Sequence, residues 1–377
     1  MVRADAPGKP TARATAPDAV AVKGLLSEIE GVRVLRVWGT PHERGYAHGY
    51  HMARDILALF EGYLKGESNG GKAAAYQMAS MMVSRIMKIE PRYEQELRGM
   101  REGIEARLDG ETTVSALKRK LNYTDLVAIN CIPDSSRLGC SSFAAWGRLT
   151  KEGHTLAGRN LDWIRIDALE DNQIILCHLR EPGNKSVAGW VSVTWPGLIG
   201  CLTGMNERGV TVSMHDAPSD PPEVPAGFTP RAFALRDAIE AAHSSTTIAE
   251  RDILKVLRHR RVAVGNIVSV TTPFMPERSG VSQTGPALAI EYDGVTSRSG
   301  GVTLRSSTIS WAPARTRNRG CIRLMGGEMF QICTNHYRQR GAAVSCDRYK
   351  TIKRRLGSLE SAGKMLDVEG AWKILDG

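Results

Sequence analysis

The chain has 377 residues, room for one large domain or two ordinary ones, and an apolar share of 42 % that supplies a sizeable core. Its net charge is +10, yet Lys, Arg, Asp and Glu are mixed over most of the length, and no run approaches the ~18 consecutive apolar residues of a membrane helix. Helical membrane proteins are thereby excluded, and no membrane partner is expected.

The one marked charge bias lies between Trp311 and Arg355, where eleven basic residues face only Glu328 and Asp347. A basic face attracts nucleic acid, anionic membrane or acidic substrates. No helix-turn-helix, zinc finger or aromatic interleaving accompanies it, so nucleic acid is not the expected partner. The seven cysteines are odd in number, widely spread and without a C-x-x-C pair. That pattern fits reduced thiols in a reducing compartment, one of them reactive. Residues 1–22 are rich in Ala, Pro and Thr and lack the apolar core of a signal peptide. They read as a disordered tail, and the expected location is cytoplasmic.

In chain order, Gly31 to Val37 alternates as a short strand. Thr40-Pro41-His42-Glu43 then opens a helix: Thr40 is placed to cap it, Pro41 fits its first turn, and Glu43 completes a capping box. Ile56, Leu59, Phe60 and Tyr63 recur at helical spacing. Further helices are expected over 72–89 (with Met78, Met81, Met82 and Ile86 on one face), 93–108 and 124–131. The part before Cys140 therefore reads as mostly helical, from residue 23 to 139. After Pro133 the texture changes. Strands are expected over 141–149, 155–163, 174–179, 186–194, 198–203 and 210–215. The last two flank Gly204-Met205-Asn206-Glu207-Arg208-Gly209, a tight-turn composition. A Pro-rich loop over 218–230 leads to helices over 231–242 and 247–259. Strands resume over 262–271, 287–292, 302–307 and 329–333, and a helix over 347–359 closes the ordered part. Two helices inserted between runs of strands predict an α+β layered domain over 140–377.

Two stretches resemble chemistry without supporting it. His42, His48 and His51 do not have the H-E-x-x-H spacing that places two histidines on one helix face for a metal. Gly66 to Lys72 has the glycine and lysine spacing of a phosphate loop, but Ala73 removes the magnesium hydroxyl and no strand precedes it. No metal and no cofactor is expected.

Cys140 is different. Gly139 precedes it and Ser141 and Ser142 follow. Glycine before a nucleophile permits the tight backbone from which a side chain attacks its own preceding carbonyl. Such an attack gains from proximity. Cleavage between Gly139 and Cys140 would leave a thiol and a free α-amine on one residue. With a pKa near ~7.7–8, that amine can act as base for its own thiol.

Cys140 followed by Gly158-Arg159-Asn160-Leu161-Asp162-Trp163 resembles the choloylglycine hydrolase and penicillin acyltransferase branch of the N-terminal-nucleophile (Ntn) hydrolases. Arg44-Gly45-Tyr46-Ala47-His48-Gly49 is similar to the acyltransferase, peptidase C45-like members, whose prosegment is cut at a Gly-Cys bond. The resemblance continues through Gly204 to Val210, Thr334-Asn335-His336 and Cys346-Asp347-Arg348-Tyr349. It implies a four-layer αββα sandwich preceded by a helical segment. It also implies an amide hydrolase or acyltransferase acting on a small acyl amide or thioester, and two associated fragments, 1–139 and 140–377. A homo-oligomer is left open. Residue by residue, it makes Cys140 the nucleophile, Asp162 the carboxylate that orients its amine and thiol, and Arg159 the neighbouring cation. Asn335 would stand near the tetrahedral intermediate, and Arg348 would close the network.

One position departs. Where the family has an asparagine as second oxyanion donor, this chain has His215, which either donates an N–H in that role or is a structural histidine. Two other readings stand beside the enzyme: an unprocessed, non-catalytic binding protein on the same scaffold, and a papain-like Cys/His enzyme using His336.

Overall fold

The computed structural model describes residues 21–65, 86–135, 138–163, 167–181, 187–217, 226–243, 246–273, 283–293, 302–309, 311–312, 323–324, 328–338 and 345–376, with residues 76, 80, 183 and 184. The expected tail, the phosphate-loop-like stretch, most of the expected helix over 72–89 and part of the basic stretch lie outside the described residues.

A hairpin of Gly24–Ile29 (β1) and Val32–Val37 (β2) comes first, where a single strand was expected. Glu30 and Gly31 turn it at φ 51° and 79°. Pro41–Lys65 (α1) follows with its capping box formed: the Thr40 N–H donates to Glu43 Oε2 at 2.8 Å and the Glu43 N–H to Thr40 Oγ1 at 3.3 Å. Pro91–Arg107 (α2) crosses α1 through four glycines. A Cβ on Gly45 would overlap the Glu96 carbonyl oxygen, one on Gly49 that of Met100, one on Gly99 that of His42, and one on Gly103 that of Tyr46. The helix backbones touch, and only glycine permits this.

A two-strand ribbon, Thr113–Val114 (β3) with Arg119–Lys120 (β4), leads into Tyr123–Ser135 (α3). Gly139–Ala145 (β5) and Leu156–Asp162 (β6) form the next hairpin, and Asp167–Glu170 (α4) is a single turn. Then come Ile174–His178 (β7), Trp190–Thr194 (β8), Thr203–Asn206 (β9) and Thr211–Ala217 (β10). Arg231–Ala241 (α5) and Thr246–Leu257 (α6) precede Gly265–Thr271 (β11), Gln283–Tyr292 (β12) and Thr303–Ile309 (β13). The short pair Trp311–Ala312 (β14) and Arg323–Leu324 (β15) precedes Phe330–Thr334 (β16). Asp347–Ser361 (α7) is followed by Val368–Leu375 (α8), which was not expected; Asp367 caps it by accepting from the Gly370 N–H.

Nine strands form one sheet in the order β1-β2-β7-β8-β9-β10-β11-β12-β13, antiparallel throughout except for the parallel pair β2 and β7. Residues 23–139 thus supply two strands of this sheet besides their helices. The second sheet is β16-β5-β6, with β5 in the middle.

Alternation assigns the faces. Val212 and Met214 of β10 join Val268, Leu288 and residues of α1, α2, α3, α5 and α6 in the main core. Ala217, Ile267 and Ala289 meet Cys333 of β16, so the two sheets face each other there. Phe143, Phe330 and Ile332 on the far side of the small sheet pack against Ile352, Leu356 and Ile374 of α7 and α8. The structure is therefore α+β, with helices against both sheets.

The strand expected over 198–203 begins only at Thr203. Its apolar residues are buried as a loop that Asn130 holds: Asn130 Nδ2 donates to the Gly197 carbonyl at 2.8 Å, and Oδ1 accepts from the Ile199 N–H at 2.9 Å. Burial here comes from packing against α3 and α5, which a short apolar run does not distinguish from a strand.

Candidate active site

Gly139 and Cys140 begin β5, the central strand of the small sheet. Register places Gly139 opposite Asp162 and Cys140 opposite Leu161 on β6. It places Ser141 opposite Thr334, so Asn335 leaves the end of β16 beside Cys140. Arg348 is the second residue of α7. Stretches far apart in sequence meet at one peptide because they are the ends of neighbouring elements.

Asn335 grips that peptide from both sides. Its Oδ1 accepts from the Cys140 N–H at 2.6 Å, and its Nδ2 donates to the Leu138 carbonyl at 2.7 Å and the Asp216 carbonyl at 2.9 Å. Arg348 donates from Nη1 to the Cys140 carbonyl and from Nη2 to Asn335 Oδ1, both at 2.8 Å. Its Nη1 also lies 3.7 Å from the largely exposed Asp162 carboxylate. Asn335 and Arg348 therefore hold the Cys140 backbone on its nitrogen and carbonyl sides.

The thiol is fully buried, 3.6 Å from the Met214 carbonyl oxygen and 3.4 Å from Arg159 Nη2. Arg159 is itself fixed by the Leu202 carbonyl at 3.1 Å, by Thr203 Oγ1 and by the Met214 carbonyl. Burial pushes the Cys140 thiol up, and the Arg159 guanidinium opposes it.

Sequence reading missed Asp216 and Arg231. Asp216 Oδ2 accepts from the Leu138 N–H at 2.7 Å, and Oδ1 lies 2.7 Å from Arg231 Nη1. Arg231 is wholly buried; its Nε lies 3.2 Å from Asp134 Oδ1, and it donates to the Gly265 carbonyl at 3.1 Å. Burial raises the Asp134 carboxyl to about 6 against the pull of Arg231. The only visible signal was an acid next to His215 at a strand end, with nothing to name its partner 15 residues on.

His215 is fully buried and neutral; burial first, then Arg159, lowers its pKa to about 3. Its Nδ1 faces the Ile267 carbonyl at 3.3 Å, which places the proton there, and Nε2 has no partner among the described residues. It makes no hydrogen bond to Cys140 or Asn335. His336 does not bond the thiol either, whose partners are Met214 and Arg159.

The other motif residues have structural work. His48 Nε2 accepts from the Gly197 N–H at 3.0 Å, His51 Nε2 lies 3.2 Å from the Gly24 carbonyl, and His42 Nε2 lies 3.0 Å from Glu102. Three separate destinations leave no shared ligand. Among the described residues no group of His, Cys, Asp and Glu is arranged for a metal ion. Asn206 ties the β9–β10 turn to the end of α5, accepting from the Val210 N–H at 3.0 Å and donating to the Ile239 and Ala242 carbonyls at 2.9 Å. Part of the basic stretch is likewise local: Arg355 caps α8 through the Ile374 carbonyl at 2.9 Å, and Lys353 pairs with Glu328 at 2.9 Å. Among the described residues no helix is long and apolar enough to cross a membrane.

No family model matches the chain. It is similar to an uncharacterized protein of Archaeoglobus fulgidus, 19 % identical over 218 residues, which is 52 % of this chain and 35 % of that protein. It is also similar to protein dcd1B of Dictyostelium discoideum, 24 % identical over 193 residues, 47 % of this chain and 36 % of that one. The matched region thus spans about a third of the length of these curated relatives. Among solved structures it is similar to the Caenorhabditis elegans ortholog of N-acylethanolamine-hydrolyzing acid amidase (15 % identity, 63 % of this chain, 86 % of that chain, TM-score 0.38). A conjugated bile acid hydrolase of Clostridium perfringens is similar at 12 % identity, 63 % and 78 % coverage and TM-score 0.35. At these TM-scores neither likeness bears on activity, and function is built from the residues around Cys140.

Proposed function

We propose that the chain is a self-processing cysteine amide-bond enzyme of the Ntn type, with two facing sheets and their covering helices forming a four-layer αββα sandwich. The observation that carries this is the double grip of Asn335 on the peptide unit before and at Cys140.

In the processing step the Cys140 Sγ attacks the Gly139 carbonyl carbon through a five-membered ring. The C–S bond forms, the C–N bond breaks, and the departing amine takes up a proton. Water then hydrolyses the thioester, leaving a carboxylate on Gly139 and a free amine on Cys140. Asn335 and Arg348 hold the peptide while this occurs, and Asp216 holds Leu138.

The mature Cys140 amine then serves as base for its own thiol. Asn335 Oδ1, already the acceptor for the Cys140 nitrogen, keeps that amine in place, with Asp162 and Arg348 beside it. Arg159 favours the thiolate. The thiolate attacks a small acyl amide or thioester, an acyl-Cys140 forms, and water or an amine resolves it. An apolar cleft lined by Phe60, Ile129, Trp195, Leu198 and Trp163, the residue after Asp162 in the chain, is the candidate we assign to an apolar acyl group.

Incubation with N-acyl amides, β-lactams and acyl thioesters, quenched early and measured by mass spectrometry, tests the reading. A mass increment equal to the acyl group on the peptide beginning at Cys140 is expected. Turnover with the increment on another residue, or unchanged in Cys140→Ala, would overturn it.

A further inference from the structure

Alternation along β7 and β8 gives the nine-stranded sheet two faces. Ile174, Leu176 and Trp190 join the main core, and the fully buried Ser192 and Thr194 point the same way. Ile175, Cys177, Val191 and Val193 point to the opposite face. Register extends that face in both directions. Val191 lies between Cys177 and Met205, Val193 beside Ile175, and Ile175 beside Val34, while Leu25 and Ile29 of β1 stand opposite Arg36 and Val32. Met205 pairs with Thr211 of β10, and so shares the face from which Ala217, Ile267 and Ala289 meet the small sheet at Cys333.

One half of that face is covered and the other is open. Over β1, β2, β8 and β9, the side chains of Leu25, Ile29, Val32, Val191, Val193 and Met205 are each 37 to 53 % exposed. A strand with water on one side places its apolar residues inward and its polar ones outward. β8 does the reverse, with Ser192 and Thr194 inside and Val191 and Val193 outside. The unbroken Ile174-Ile175-Leu176-Cys177 run of β7 is likewise that of a strand covered on both faces. At these exposures the six side chains present on the order of 500 Å² of apolar surface, more than half of the roughly 800 Å² that each partner of a standard interface buries. Among the strand positions of this half-face Arg36 carries the only charge, and its Nη1 donates to Ser27 Oγ at 2.8 Å.

We infer that this half-face is an interface with a second copy of the chain. Among the described residues the sheet that covers the other half has three strands against nine, which leaves a step. A two-fold axis between the copies, running roughly parallel to β8, sets open half on open half and carries the two small sheets to opposite ends. Each copy then fills the step of the other, and the same patch serves on both. The contact is sheet on sheet, at a spacing of about 10 Å, the packing that the chain already uses between its own two sheets. The interface is independent of the chemistry at Cys140.

Sedimentation velocity of the full chain, at concentrations from about 1 to about 100 μM, tests this. A species of twice the 41.1 kDa chain mass is expected. Val193→Lys and Met205→Lys each set a charge on the face and are expected to weaken dimerisation by at least about a hundredfold. Val193→Thr keeps the shape and the strand preference and is expected to weaken it by about tenfold, which keeps the inference readable if a lysine variant does not fold. Trp372→Ala removes an apolar side chain that is 67 % exposed on α8 and is expected to leave the dimer as it is. Cys140→Ala is expected to dimerise as the parent does, so this result stands or falls apart from self-processing. A chain that is monomeric throughout, with the half-face open or covered by another part of itself, would overturn the inference. A dimer of unchanged affinity in the Val193 and Met205 variants, or one lost in Trp372→Ala, would overturn it as well.

Discussion

Asn335 accepts from the Cys140 nitrogen at 2.6 Å while its amide nitrogen donates to the Leu138 carbonyl at 2.7 Å. One side chain therefore bridges Gly139, whose carbonyl is the one attacked in the proposed processing step. In the continuous chain both Asn335 amide hydrogens are taken, by the Leu138 and Asp216 carbonyls. In the proposed processing step its task is to hold that peptide.

If the chain processes itself as proposed, removing that hold is expected to slow the reaction. Asn335→Ala is expected to lower the rate of fragment formation by about a hundredfold, the scale of one pre-organised polar contact to a reacting group. A time course on a denaturing gel after synthesis measures it. Processing at the parental rate would show that Asn335 is not a positioning residue.

Arg159 is the cation nearest the thiol, at 3.4 Å. It lowers a thiol that burial raises, so Arg159→Gln removes the opposing effect and moves the thiol further up. The rising limb of the processing rate against pH, which follows thiolate formation, is expected to shift to higher pH. A limb that stays in place contradicts the electrostatic role.

His48 titrates at about 3, chiefly because it is buried, with Arg236 and His51 adding to the effect. The unfolded imidazole titrates near ~6.5. The folded state therefore holds the neutral form and the unfolded state takes up the proton first. The stability His48 contributes is complete above ~6.5 and is lost as pH falls from there toward about 3, with His215 acting in the same sense. Each group adds a slope of up to about 1.4 kcal/mol per pH unit. Urea midpoints at pH 7 and pH 5 measure it. His48→Gln, whose amide oxygen can accept from Gly197, is expected to flatten the dependence.

The glycine crossing of α1 and α2 makes a paired prediction. Gly49→Ala sets a methyl group on the Met100 carbonyl oxygen and is expected to cost more than about 3 kcal/mol, in the range reserved for overpacked cores. Gly357 lies inside α7 with open space where a Cβ would stand. Gly357→Ala is expected to stabilise by about 0.5–1 kcal/mol. Thermal melts of the two variants check both signs.

Much of this arrangement was legible in the sequence. The capping box at Thr40 and Glu43, the turn at Gly204 to Gly209 and the helix-to-strand change before Cys140 are local patterns, and local patterns survive folding. Cys140, Arg159, Asp162, Asn335 and Arg348 came from short motifs, and the structure brings all five together. The Arg44 to Gly49 motif was legible only as a motif: its glycines let α1 touch α2, and His48 pins a loop. Asp216 and Arg231 were not legible, because their roles depend on the end of β10 meeting the start of α5, a contact with no sequence period. Helix α8 was missed because a short amphipathic segment near the end of the chain resembles a tail until its packing on the small sheet is seen.

Intact-mass measurement of the purified chain, beside its Cys140→Ala variant, tests the central claim most directly. The account predicts two associated fragments, the larger beginning at Cys140, and a variant that stays whole. A single full-length chain in protein that turns over an acyl amide would contradict it.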